Sequence, residues 1–315
     1  MTSHRQLGPD AADVGAVGFG GMALSFPERP SERDAVALIH AVLESGVTLI
    51  DTADIYAPDE RDVGHNERLI AKALREWPGA RDGIVVATKG GYTRQGGRLV
   101  PNGHPEHLRR ACESSLKALG VQAIDLYQLH TPDPRVPFAD SVGALRDLRD
   151  EGKVRWIGLS NVTLTAIEAA RAIVPIQSVQ NQLSLFNRDC LRVGPVARLE
   201  GRGWRGVRQL RRLIGEPFTS GVVAHCAVLG IGLLAYSPLG GSRSRTLGDH
   251  PAVQQVARAH GASAHAVAVA WLLAQERVVI PIPSARTIAH AVDGLRGDRL
   301  TLTSQELAAL DAAAF

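Results

Sequence analysis

Cysteine, methionine and lysine are all scarce in this chain of 315 residues, which holds three cysteines, two methionines and four lysines. Cys112, Cys190 and Cys226 lie far apart with no CxxC spacing, which excludes a zinc ribbon or a disulfide scaffold and leaves unpaired thiols in a reducing compartment. Cys112 and Cys226 fall in helical patterns and read as small core residues. No run of 18 uncharged apolar residues occurs, so no helix is expected to span a membrane. Met1 to Asp10 contain no apolar segment of the kind a secretory signal needs, and the expected location is cytoplasmic. The formal net charge is only +3, too small to argue for or against an anionic partner. Because lysine is so rare, Lys89 stands out by type as well as by position.

With 45% hydrophobic and 21% charged residues, the chain can bury a large core and is no disordered segment. Strand-like and helix-like segments alternate along it. After an opening run near Val14–Phe19, Ser31 and Glu32 start a helix, with Ala35, Ile39, Val42 and Leu43 on one face, that stops at Gly46. A strand over Val47–Ile50 leads into a loop and a helix with Asn66 as its candidate N-cap. Ile84–Thr88, a Gly-rich loop and a helix from Pro105 to Leu119-Gly120 follow. The rhythm continues through strands at Ile124–Leu129, Val154–Leu159, Ser178–Leu183, Gly232–Ala235 and Val278–Ile282. Eight strand candidates joined by helical crossovers predict one (β/α)8 barrel, a TIM barrel over residues 1–315, with a doubly wound open sheet as the runner-up.

Asp51, Tyr56, Lys89 and His130 each sit at or just after the end of such a strand. In a barrel those ends share one rim, where catalytic groups collect. A phenol, an ammonium, a carboxylate and an imidazole together suit proton transfer. A free phenol has a pKa of about 10, and acid–base catalysis near neutral pH works best with that value lowered. Lys89 is placed to lower it by favouring phenolate, and pairing with Asp51 reduces the cost of burying the ammonium. His130 would share the proton work or hold a carbonyl oxygen. Further polar residues follow at later strand ends: Ser160-Asn161, Gln180-Asn181 and Tyr236-Ser237. Amides and a hydroxyl suit a carboxamide, and Tyr236 offers a ring for stacking. After the eighth strand, Pro283-Ser284-Ala285-Arg286 opens a helix, and an arginine beside a helix N-terminus suits a phosphate.

Asp51, Tyr56, Lys89 and His130 resemble the catalytic tetrad of the aldo-keto reductases. Ile157-Gly158-Leu159-Ser160-Asn161, Val179-Gln180-Asn181-Gln182, Tyr236-Ser237-Pro238-Leu239-Gly240 and Ile280-Pro281-Ile282-Pro283-Ser284 extend the likeness. It runs from about Val14 to Leu310 except for Arg188–Ser220. The resemblance implies hydride transfer between NADP(H) and a carbonyl/alcohol pair on a small substrate, with Tyr56 as general acid, Lys89 and Asp51 tuning it and His130 orienting the carbonyl. It implies that Ser160, Asn161 and Gln180 hold the carboxamide and that Tyr236 stacks on the nicotinamide. Ser237, Leu239 and Gly240 would lie by the pyrophosphate, and Ser284 and Arg286 by the 2′-phosphate, favouring NADPH over NADH. A regulatory subunit that binds NADP(H) with little turnover is the alternative within the same family.

The sequence departs from that pattern in three places. Asp293-Gly294 stands where the family has a Glu-Asn pair against adenine, and the loop from Gly241 to Pro251 is short for a clasp over the cofactor. Arg188–Ser220 looks inserted, with eight arginines against Asp189, Glu200 and Glu216. A solvated insertion is the simpler reading of that stretch, ahead of nucleic-acid binding. Gly18-x-Gly20-x-x-Ala23 loosely fits a Rossmann fingerprint, but Pro27 and Pro30 interrupt before any helix. His104 and His107 lack further ligands for a metal, and none is expected. Phe26, Tyr92 and Trp204 fall in rim loops as candidate substrate contacts.

Overall fold

The computed structural model describes residues 3–26, 28–192 and 219–315. It begins with a small antiparallel hairpin, β1 (His4–Gln6) and β2 (Asp13–Gly15). The barrel then runs through β3 (Phe19–Gly20), α1 (Glu32–Glu44), β4 (Leu49–Asp51), α2 (His65–Glu76) and β5 (Val85–Gly90). A second hairpin, β6 (Tyr92–Gln95) and β7 (Arg98–Pro101), interrupts before α3 (Pro105–Leu119) and β8 (Ile124–Leu129). Next come α4 (Phe138–Asp150), β9 (Val154–Ser160), α5 (Leu164–Arg171) and β10 (Ser178–Gln182). The last third holds α6 (Val222–Leu229), β11 (Gly232–Tyr236), α7 (Pro251–His260), α8 (Ala264–Gln275), β12 (Val279–Pro281), α9 (Ile288–Leu295) and α10 (Ser304–Ala312).

Eight strands pair in parallel in the order β12-β11-β10-β9-β8-β5-β4-β3. Gly18 N and Gly20 N donate to the Pro281 and Pro283 carbonyls at 2.9 Å, joining the first strand to the last and closing the barrel. The expected (β/α)8 architecture is thus the observed one. The opening run differs in one respect: Asp13–Gly15 pairs with β1, and the first barrel strand starts only at Phe19. That hairpin plugs the barrel's lower end. Leu7 and Val14 are buried among inward-facing Leu49, Val85, Leu126, Leu234 and Ile280, and Leu7 O accepts from Gly232 N at 2.9 Å.

Side chains alternate across a strand, so each strand serves two cores. Ile50, Val86, Tyr127, Ile157 and Val179 face outward into the larger core beneath the helices. The strand register places Asp51, Lys89, Gln128, Gly158, Ser160 and Gln180 on the inner face, above the apolar floor. The inside of the barrel therefore turns from apolar to polar toward its carboxyl rim. Helix starts follow local chemistry, with Ser31, Thr163, Ser263, Thr287 and Thr303 accepting backbone N–H bonds as N-caps. All three cysteines are buried and free, and burial pushes the Cys112 thiol up to about 12 and Cys190 to about 11.

Asn66 is not an N-cap. Helix α2 begins at His65, two residues earlier than that cap would place it, with Gly64 as its cap. The buried Asn66 amide instead donates to Gly21 O and Ser25 Oγ at 2.8 and 2.7 Å and accepts from Thr52 Oγ1 at 2.6 Å. One side chain thereby ties the loops after β3 and β4 to α2. Much of the arginine-rich segment, including Trp204, lies outside the described residues. Its described ends meet: Ser220 Oγ and Gly221 N donate to Arg192 O at 2.7 and 2.6 Å. Arg188 belongs to the barrel body, donating to Leu310 O and Asp311 O and lying over the Trp271 and Phe315 rings.

Candidate active site

Lys89 is fully buried and sits among three partners. Its Nζ donates to Asp51 Oδ2 at 2.6 Å and Thr52 O at 2.7 Å, and reaches Tyr56 OH at 3.5 Å. The register explains the first contact, since Asp51 pairs with Ala87 and Lys89 is the next residue on the same face. Tyr56 comes from the loop after β4, fixed by Tyr56 N donating to Ala53 O and Tyr56 O accepting from Asn66 N. His130 follows β8, its backbone N bonded to Gly90 O at 2.9 Å. The Tyr56 and His130 rings meet edge to face at 5.9 Å. Tyr92 packs edge-on against His130 at 4.7 Å, and Phe26 against Tyr56 at 5.9 Å. The structure thus brings the four expected residues together, with two of the three expected aromatics around them.

The electrostatics follow from burial and the ion pair. Burial works against the Lys89 charge, but Asp51 and Tyr56 outweigh it and hold its pKa above the ordinary lysine value. Burial pushes the Tyr56 phenol above its ordinary value, against the opposing pull of Lys89. The expected lowering of Tyr56 is therefore reversed in sign, because the cost of burying a phenolate exceeds the attraction of the ammonium. Burial, then the Lys89 charge, pushes the His130 imidazole well below its ordinary range. Its buried Nδ1 has no hydrogen-bond partner.

Gln180 faces the same carboxylate. Its Nε2 donates to Asp51 Oδ1 at 2.7 Å, and Gln128 Nε2 reaches the same oxygen at 3.3 Å. Sequence reasoning missed Gln128, although a fully buried glutamine inside the apolar strand Ile124–Leu129 was visible as the odd residue out. Asn161 follows β9 in the left-handed region, at φ 57°. Its amide bridges the next strands, donating to His130 O at 3.0 Å and Ser160 Oγ at 3.1 Å and accepting from Tyr236 OH at 2.9 Å. Ser237 also has positive φ, at 49°, and Leu239 packs partly buried against the outer core. Gly240 lies against Phe186, where a Cβ would stand 2.3 Å from the ring. Ser284 Oγ accepts from Ala23 N at 3.2 Å, and Arg286 pairs with Glu28 at 3.5 Å. Asp293 lies 4.0 Å from His265. All these residues belong to the carboxyl side of the barrel.

Comparison with known proteins identifies the family. The model of the aldo/keto reductase family matches residues 16–203 and 214–314. The chain belongs to the aldo/keto reductase family. A probable aldo-keto reductase 1 from Glycine max is 32% identical over 96% of this chain and 86% of its own length. An aldo-keto reductase from Klebsiella pneumoniae, solved in complex with NADPH, is 26% identical, with a TM-score of 0.75 over 99% of this chain and 95% of its own. The glycerol dehydrogenase of Gluconobacter oxydans is 25% identical, with a TM-score of 0.75 over 98% and 93%. This member of the aldo/keto reductase family therefore holds Asp51, Tyr56, Lys89 and His130 together inside its barrel.

Proposed function

We propose that this aldo/keto reductase reduces an aldehyde or ketone to an alcohol using NADPH, with Tyr56 as the proton donor. The observation behind this reading is Lys89 Nζ lying between the Asp51 carboxylate and the Tyr56 hydroxyl, buried inside the barrel. A phenol held above its ordinary pKa is protonated at neutral pH, which is the form a carbonyl reduction consumes. His130, with its pKa far below neutral, is uncharged there. Neutral, it can give a hydrogen bond to a carbonyl oxygen, which supports Tyr56 for the acid role and His130 for the orienting role. Lys89 and Asp51 hold the local charge balance as the phenol gives up its proton.

The donor set at the rim fits NADPH. The Asn161 amide and the Ser160 hydroxyl match a carboxamide, with Gln180 beside them on the neighbouring strand. Asn161 fixes the Tyr236 hydroxyl, leaving the ring to stack on the nicotinamide. Ser237, Leu239 and Gly240 would border the pyrophosphate, and Ser284 and Arg286 the 2′-phosphate. When bound, NADPH supplies the hydride. The Klebsiella pneumoniae relative was solved with NADPH, which supports the choice. The arginine-rich stretch reads as an excursion from a single domain that leaves at Arg192 and returns at Ser220, where the two residues meet; the family model omits only 204–213 of it.

Loss of NADPH absorbance on mixing with a panel of aldehydes and ketones tests the proposal. Wild type should turn over at least one class. Tyr56→Phe should lose about 100- to 10,000-fold in kcat while binding NADPH nearly as well. Full activity in that variant would remove Tyr56 from the mechanism.

A further inference from the structure

A cavity of about 580 Å3 opens on the flank of the barrel, between α2 and α3 and beneath the β6–β7 hairpin. None of Asp51, Tyr56, Lys89 and His130 lines it, so it is separate from the reaction site. Its size is that of a small-molecule pocket. Small side chains make the room: Gly64 before α2, and Ala111, Ser114 and Ala118 along one face of α3. A Cβ on Gly64 would already stand 3.0 Å from Arg68 and 3.5 Å from Ala118.

Four cations line the wall, against the carboxyl groups of Asp54, Glu60 and Glu67. Arg68, Arg110 and Lys117 reach it from the two helices and Arg94 from the hairpin. Among the four lysines, Lys72, Lys89 and Lys153 are each paired with a carboxylate. Lys117, on the cavity wall, has no acidic partner among the described residues. Arg94 donates to Ile55 O at 3.3 Å and Ala57 O at 2.9 Å, yet its buried Nε has no partner. Arg68 pairs with Asp62 and Arg110 lies 3.6 Å from Glu106, while Glu60 accepts from Gly97 N on the hairpin turn. The two acids on the inner side, Asp54 and Glu67, oppose the cations less than their number suggests. Burial pushes Asp54 and Glu67 above the ordinary carboxylate range, and Glu67 raises Asp54 further. Ile55, Val63 and Tyr92 add apolar surface.

We propose that this cavity is a second binding site, taking a small organic anion with a carboxylate on an apolar body, and that its occupant acts on the rim through Tyr92. Tyr92 lines the cavity, its carbonyl lies 3.2 Å from His107 Nε2, and its ring packs against His130. Arg94 holds the residues on both sides of Tyr56. A ligand drawn to these cations therefore bears on the only described aromatic that touches both cavity and His130.

Lysine acetylation mapped by mass spectrometry on the intact protein tests the site, with benzoate as probe and benzyltrimethylammonium as its counterpart of opposite charge. Benzoate should slow labelling of Lys117 at least fivefold and leave Lys72 and Lys153 unchanged, while the cation protects nothing. Arg110→Met with Lys117→Met, both exposed positions, should weaken calorimetric benzoate affinity about tenfold, a difference of about 1.4 kcal/mol. Binding should persist in Tyr56→Phe. The His130 imidazole resonance, assigned by its loss in His130→Gln, should shift with benzoate in wild type and not in the double variant. Unprotected Lys117, equal protection by the cation, or undiminished affinity in the double variant would overturn the site. A protected Lys117 with an unmoved His130 resonance would overturn the coupling. Neither readout needs turnover, so both stand apart from the reductase proposal.

Discussion

Gln180 Nε2 lies 2.7 Å from Asp51 Oδ1, joining residues 129 positions apart across the inside of the barrel. Lys89 takes the other carboxylate oxygen at 2.6 Å, and Gln128 adds a longer contact at 3.3 Å. The carboxylate is thus satisfied from three other strands, β5, β8 and β10, which fixes its direction. An ion pair this deep is costly to form and costlier to break. Its value to the protein is to keep an ammonium 3.5 Å from the Tyr56 hydroxyl.

Breaking the pair from one side should destabilise more than removing it altogether. Asp51→Asn and Lys89→Met each leave a buried charge without its partner, which costs about 3–5 kcal/mol. The double variant should regain much of that loss while remaining inactive. Denaturant unfolding of the four proteins measures this, and additive single-variant losses would show that the pair is not coupled.

Gly158 should tolerate no side chain. It pairs with Gln128 and Ser178 on the flanking strands, and a Cβ would stand 2.3 Å from Ser178 Oγ and 2.8 Å from Gln128 Cγ. Gly158→Ala should cost about 1–3 kcal/mol by overpacking. Adding Ser178→Ala removes the nearer clash and should restore part of the loss. Thermal unfolding checks both, and an unchanged midpoint in Gly158→Ala would contradict the tight packing.

The strand ends were legible because chemistry and periodicity coincided there: an apolar run stops, and Asp51, Lys89 or His130 follows. What the sequence left dark lacked such a coincidence. Asp13–Gly15 has a strand's composition, but its partner was settled by the barrel's need for a lower plug formed by Leu7 and Val14. The β6–β7 hairpin is half-exposed and carries no apolar alternation. Its signal was Gly96-Gly97, both with positive φ, as a two-residue hairpin turn requires. Asn66 has an N-cap's chemistry, yet three buried loop groups claim its amide. The direction of the Tyr56 shift depends on how completely the site is buried, which sequence spacing does not encode.

That shift predicts asymmetric pH profiles. With the Tyr56 pKa raised above its ordinary value of 10.0, the phenol is protonated across pH 6 to 9. The reductive kcat should be flat there, whereas alcohol oxidation, which needs the phenolate, should rise up to about tenfold per pH unit. Steady-state kcat in both directions reads this. A reductive kcat that falls with an apparent pKa near 7 would transfer the acid role to another group.

Asp54 should make the protein less stable as pH rises. It is buried beside Glu67, and its folded-state pKa is raised well above 3.8. Below about pH 4 the carboxyl is protonated in both folded and unfolded chains, so its favourable contribution is fully present. As pH climbs from there toward the folded value, the unfolded chain gains a solvated carboxylate while the folded one must keep its proton. Stability then falls by up to about 1.4 kcal/mol per pH unit. Asp54→Asn keeps a side-chain oxygen for Ile55 N, which Asp54 Oδ1 accepts at 2.6 Å, and never ionises. The variant should match wild type near pH 4 and exceed it above that, the gap growing until the folded carboxyl itself ionises, measured by urea unfolding from pH 4 to 8. A constant offset across that range would mean that Asp54 does not titrate differently on folding.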